Sequence, residues 1–150
     1  MKSILSLVVL VAFWDPSSIV ATEIKVDFRN PIPKTNVRVA NILNNSLSFT
    51  IHCKSKDDDL GVHEIPKGGT YQFEFRRNFF GRTLFFCGIR WSDGFIIYDI
   101  YKTSRDFHRC PTDCYWEVGN EALYGYAQSP PEIDITVPWP KPNNETLIHS

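Results

Sequence analysis

Apolar residues return at every second position along much of this chain, and that period limits its fold more than any other feature. Leu47, Phe49, Ile51 and Cys53 alternate with Ser48, Thr50 and His52, while Tyr71, Phe73 and Phe75 alternate with Gln72, Glu74 and Arg76. Successive side chains of an extended strand point to opposite faces, so this alternation describes strands buried on one side. Ile24, Val26 and Phe28, ahead of Asn30-Pro31, show the same pattern, as do Val37 and Val39. So do Ile133, Ile135 and Val137, which flanking prolines mark as an edge strand. No segment sustains a helical period.

Turn-forming clusters separate these runs: residues 42–46, Pro66-Lys67-Gly68-Gly69, Asn78 to Gly81, and Ser92-Asp93-Gly94. The strands on either side of residues 42–46 are expected to pair as a hairpin. Lys54 to Gly61 reads as a charged connection, too polar for a core. Residues 83–91 place Phe85, Cys87, Ile89 and Trp91 on one face and Leu84 and Phe86 on the other, so this strand is expected mid-sheet with cover on both sides. Residues 102–114 are polar, and apolar structure resumes at Tyr115 to Val118 and Ala122 to Tyr126. About seven or eight short strands between turns predict an all-β fold, a small antiparallel β-sandwich.

The first residues follow another logic. Lys2 precedes an apolar run from Ile4 to Trp14, which Asp15-Pro16 ends, and Ala21 offers a small residue at which a peptidase can cut. A basic start, a short apolar stretch and a small-residue site describe an export signal, and the run is too short to span a bilayer. Residues 1–21 are therefore expected to be a signal peptide, residues 22–137 the β domain, and residues 138–150 a flexible Pro-rich tail. The product is expected to be secreted and extracellular, with no membrane insertion of the mature chain. Its 16 basic and 17 acidic residues nearly balance, so the domain has no overall electrostatic pull toward nucleic acid.

Export changes the reading of Cys53, Cys87, Cys110 and Cys114. In the cytosol such a set suggests zinc, whereas along the secretory route the default is oxidation to disulfides. Four cysteines allow three complete pairings, and spacing does not choose among them. Asn44-Asn45-Ser46 and Asn144-Glu145-Thr146 both satisfy the glycosylation pattern, making Asn44 and Asn144 candidate acceptors.

Catalytic chemistry finds little support. His52, His63 and His108 could supply the acid and base of a nuclease, but their spacing is not diagnostic, and surface or hydrogen-bonded roles read better. Asp57, Asp58 and Asp59 lack the alternating ligand positions of a calcium loop, and Lys54 and Lys56 already offset their charge. No metal and no cofactor is expected. Arg76-Arg77 beside Phe79 and Phe80 suits an acidic or aromatic-rich partner; the competing reading is a basic turn whose phenylalanines enter the core.

An ordered set of motifs narrows the function. His52-Cys53-Lys54-Ser55-Lys56-Asp57-Asp58-Asp59-Leu60-Gly61 is followed by Tyr71 to Phe75, by Asn78-Phe79-Phe80, and by Thr83-Leu84-Phe85-Phe86-Cys87 with Trp91. Cys110 to Cys114, Trp116 and Leu123-Tyr124-Gly125-Tyr126 complete the order. The set resembles the plant self-incompatibility S1 family, the small secreted S-protein homologues, across roughly residues 35 to 137.

The resemblance implies a secreted β-sandwich with two structural disulfides and no enzymatic activity. In the best-understood members of that family the protein is a female-tissue signal recognised by incompatible pollen through a membrane partner. The expected function is an extracellular cell-to-cell signalling ligand, in pollen-pistil recognition or another reproductive process. Its expected partner is a plasma-membrane receptor or other cell-surface protein. Candidate recognition loops are residues 54–61, 76–82 and 92–94, with Lys54, Lys56, Asp57, Asp58, Asp59, Arg76, Arg77 and Asp93 as their charged positions. The competing function is a secreted carbohydrate-binding β-sandwich module that presents Trp91, Tyr98, Tyr101 or Trp139 as a stacking surface.

Overall fold

The computed structural model describes residues 31–141 together with two three-residue strands nearer the start, β1 (Leu7–Val9) and β2 (Thr22–Ile24). The chain divides into two compact units, Met1–Pro31 and Ile32–Ser150. In the first, β1 and β2 pair antiparallel, with Leu7 opposite Ile24. The expected cleavage point at Ala21, the rest of the alternating run from residue 25 to 29, and Asn144 lie outside the described residues.

The second unit is a two-sheet sandwich. Its strands are β3 (Lys34–Asn41), β4 (Phe49–Lys54), β5 (Asp59–Ile65), β6 (Thr70–Arg76), β7 (Leu84–Trp91) and β8 (Gly94–Lys102). A short helix α1 (Thr103–Arg109) then leads to β9 (Asp113–Val118), β10 (Ala122–Tyr126) and β11 (Ile133–Pro138). One sheet has the order β11-β10-β9-β3-β6 and the other β5-β4-β7-β8. Every neighbouring pair is antiparallel except β3 with β9, which run parallel.

The two-residue period decides which side chains fill the space between the sheets. Val37 and Val39 of β3 meet Phe49, Ile51 and Cys53 of β4, Ile89 of β7, Ile100 and Tyr101 of β8, Trp116 of β9 and Leu123 of β10 in one buried core. Each large aliphatic side chain withdrawn from water in this way contributes about 2 kcal/mol before entropy is set against it.

Several expectations change. The hairpin across residues 42–46 does not form, because β3 pairs with β6 and β9 while β4 pairs with β5 and β7. The apolar faces of β3 and β4 are buried by facing one another across the sandwich. Buried Asn41 fixes the crossing: its side-chain amide donates to Leu47 O and Ile65 O, both at 2.9 Å, and its oxygen accepts from Leu43 N.

Second, β7 does lie inside its sheet, yet only one face is covered. Phe85, Cys87, Ile89 and Trp91 are buried, whereas Leu84 and Phe86 remain 41% and 36% exposed on the outer face. Third, the charged connection is shorter than expected, since Asp59–Ile65 forms an edge strand paired with β4. Fourth, the polar stretch after β8 contains α1, whose seven residues span too few turns to display a period. Trp139, assigned by sequence to the tail, packs edge-on against Trp91, and its indole N–H donates to Gly119 O at 2.9 Å.

Candidate functional site

Strand register distributes the candidate loops between two ends of the sandwich. Lys54 lies opposite Phe86, Leu84 opposite Lys102, and Lys34 opposite Arg76, so the β4–β5 turn, the β6–β7 turn and α1 occupy one end. Trp91 lies opposite Gly94, which puts the turn bearing Asp93 at the other end. Lys54, Lys56, Asp57, Asp58, Asp59, Arg76 and Arg77 therefore share an end, and Asp93 does not. Asn44 belongs to Asp93's end, exposed in the turn after β3, where its backbone N–H donates to Asn120 Oδ1.

The β4–β5 turn is a compact acidic knuckle. Ser55 Oγ accepts from the N–H groups of Asp57 and Asp58, and Ser55 N–H donates to Asp58 O at 2.8 Å. Asp59 then begins β5 with one carboxylate oxygen 2.6 Å from His52 Nε2 and the other 3.3 Å from Lys54 Nζ. The hydrogen bond from His52, followed by that from Gly61 N–H, lowers the Asp59 carboxyl to about 2. The Asp58 and Asp59 side chains thus engage the turn itself, Asp58 accepting from Ser55 Oγ at 3.2 Å, and among the described residues no group of three or more His, Cys, Asp or Glu side chains is placed to hold a metal ion.

The β6–β7 turn has the opposite charge. Asn78 organises it: its N–H donates to Thr83 Oγ1 and its side-chain oxygen accepts from Phe80 N–H, both at 2.7 Å. Gly81, with φ +67°, occupies the left-handed region that glycine enters without strain. The phenylalanines do not enter the core. Phe79 and Phe80 are 81% and 76% exposed, edge to face with one another at 5.6 Å. The Arg77 guanidinium lies 4.4 Å above the Phe107 ring of α1. A cavity of about 190 Å³ opens here, lined by Ile32, Arg77, Asn78, Phe79, Gly81, Thr103 and Phe107.

Sequence reasoning missed the polar centre behind this end. Asp106 is fully buried, accepting from Arg105 at 2.7 and 2.9 Å, from Arg109 at 3.2 Å and from Lys102 N–H at 2.9 Å. Both guanidinium groups also lie over the buried Trp116 ring, and Arg109 continues to Asp134 at 2.6 Å. The acidic residue near the start of α1 and the basic residue near its end were the available signals, since both complement a helix dipole.

A second cleft, of about 280 Å³, lies on the outer face of the five-stranded sheet beside Arg38, Asp113, Tyr115, Tyr126 and Gln128. Arg38 grips Asp113 with two bonds of 3.0 and 2.6 Å, and the hydroxyls of Tyr115 and Tyr126 both donate to Glu117. Desolvation, reinforced by the Glu117 hydrogen bond, raises the Tyr126 phenol to about 12.

Other candidates separate. Cys53 and Cys87 face each other on adjacent strands and form one disulfide, and Cys110 with Cys114 forms the other, all four buried. His52 engages Asp59, His63 contacts Leu60 O and stacks on Tyr71, and His108 packs against Phe107. The proposed sugar platform is largely internal: Trp91 and Tyr101 are buried, and Tyr98 packs on Trp116.

Two packed sheets and two buried disulfides within one unit of 119 residues define a small disulfide-linked β-sandwich protein. Comparison with known proteins makes the class specific. The model of the plant self-incompatibility protein S1 family matches residues 36–139, and the chain belongs to that family.

S-protein homolog 2 of Arabidopsis thaliana is 38% identical over 115 residues, covering 74% of this chain and 71% of the relative. Self-incompatibility protein S1 of Papaver rhoeas is 36% identical over 98 residues, covering 64% and 70%. A solved structure of SPH (self-incompatibility protein homologue) proteins, described as a widespread family of small, highly stable, secreted proteins from plants, superposes with a TM-score of 0.54. At 17% identity, covering 73% of this chain and 97% of that one, it shows the shared fold. The family is a secreted one and is not known as a family of enzymes.

Proposed function

We propose that this protein is an extracellular cell-to-cell signalling ligand, acting without catalysis in pollen-pistil recognition or another reproductive process. Its partner in this reading is a plasma-membrane receptor or other cell-surface protein. The observation that carries the proposal is the relationship to the Papaver rhoeas self-incompatibility protein, which extends over most of the sandwich. The arrangement of the molecule supports it: a disulfide-linked core holds charged and aromatic turns at its ends, where surface chemistry varies without disturbing the packing. Export through residues 1–21 and glycans on Asn44 and Asn144 belong to the same reading.

Proximity capture on intact reproductive tissue, using oxidised protein with a reduced, refolding-blocked control, tests it. Saturable labelling of a membrane protein by the oxidised form alone is expected. Repeated absence of a saturable protein partner, with specific retention on immobilised glycans, would turn the assignment to carbohydrate binding.

A further inference from the structure

We propose that the β6–β7 turn is a docking surface for an acidic segment of a partner protein, which sets a carboxylate against its arginines and an apolar side chain against Phe79. This inference rests on the ligand reading above and names the surface through which the ligand is held.

Three observations converge on the turn. Phe79 and Phe80 stand almost wholly in water although every other phenylalanine of β6 and the inner face of β7 packs toward the core. They are held out by a built turn, because Asn78 accepts from Phe80 N–H through its side chain and from Gly81 N–H through its carbonyl, while its own N–H is held by Thr83 Oγ1. Exposed aromatic rings on a fixed support lose little conformational freedom on contact and bury a large area, the combination typical of interface anchors.

Charge selects the partner. From Phe75 to Ser92 the chain carries four arginines and no acidic residue. Among the described residues Arg76, Arg77 and Arg82 meet no carboxylate, whereas Lys34, Arg38 and Lys54 on the same molecule are each paired with one. An arginine fork over an aromatic ring suits a carboxylate that arrives with apolar neighbours. The cavity beside Arg77 and Phe79, at about 190 Å³, accepts one or two side chains. That concavity favours a protein segment over a lipid surface, which offers no protruding side chain to fill it.

The test is selection of a displayed library of random peptides, each about twelve residues long, against the oxidised full chain, followed by anisotropy titration of the selected peptides. Selected sequences should place Asp or Glu beside an aromatic or aliphatic residue. Affinity should fall at least tenfold in Phe79→Ser/Phe80→Ser and in Arg82→Glu, and should weaken as salt is raised. It should be unchanged in Phe95→Ser, on the outer sheet face. Near-UV circular dichroism and the thermal midpoint report whether the variants keep their fold.

Selection without acidic enrichment, or acidic peptides that bind these variants as tightly as the parent, would overturn the proposal. So would turn-dependent sedimentation with phosphatidylcholine–phosphatidylserine vesicles in the absence of peptide binding, which would assign the surface to a membrane. Proximity capture separates the two readings. Undiminished capture by Phe79→Ser/Phe80→Ser sinks the docking surface and leaves the ligand function standing. Turn-dependent peptide binding by a protein that captures nothing on cells supports the surface and removes the function.

Discussion

Asp59 and Asp106 both accept hydrogen bonds from basic side chains, and their surroundings give them different work. Asp59 is exposed on an edge strand, and its carboxyl is held at about 2, below the ordinary 3.8, chiefly by His52. A lowered folded-state value means that its contribution is present above about pH 4 and is lost as pH falls toward 2. Carboxyl chemical shifts followed by NMR should show Asp59 titrating near pH 2, and Asp59→Asn should remove that inflection with little change in stability at neutral pH.

Asp106 is buried between two guanidinium groups. Asp106→Asn leaves Arg105 without its carboxylate and Arg109 with Asp134 alone, and should destabilise the protein by about 3 kcal/mol, read from urea unfolding monitored by tryptophan fluorescence.

Among the elements, β10 and the two cross-links make the sharpest predictions. A Cβ at Gly125 would lie 2.6 Å from the Trp116 ring and 2.7 Å from the Arg109 guanidinium. Neither neighbour is free to yield, since Trp116 is buried and Arg109 is tied to Asp106 and Asp134. Gly125→Ala should therefore cost about 2 kcal/mol, measured as a lowered urea midpoint at unchanged slope.

The Cys53–Cys87 bond joins positions 34 apart, and Cys110–Cys114 joins positions 4 apart. Loop-closure entropy assigns about 4 kcal/mol to the first and about 2 kcal/mol to the second. Replacing each pair with alanines and comparing thermal midpoints should reproduce that order; equal losses would show that packing of the buried sulfurs outweighs chain entropy.

Across the whole molecule the two ends of the sandwich separate functions that a linear reading groups together. Asn44 and Asp93 share one end, while the acidic β4–β5 turn and the arginine–phenylalanine turn share the other. A glycan on Asn44 should therefore leave peptide binding at the phenylalanine end unchanged; Asn44→Gln protein from a glycosylating host should lose the glycan mass and keep the affinity. The same host should release a chain beginning at Thr22, which N-terminal sequencing checks.

Most strands with their inner faces, most turn positions and the expectation of disulfides were legible in the sequence because each depends on residues close together in the chain; β5, whose start is as polar as a connection, was not. Alternation assigns Phe49, Ile51 and Cys53 to a core whatever covers them. Partnership was not legible: the crossing at Asn41, the parallel β3–β9 pair and the Cys53–Cys87 bond depend on which distant strands bury which apolar face. The candidate site followed the same division. The composition of the arginine–phenylalanine turn was plain, but the exposure of Phe79 and Phe80 was settled only when Asn78 closed the turn against Thr83 and the core was filled by other aromatic side chains. Local period determines what a segment can become; competition for buried volume between distant segments decides which side chains remain outside.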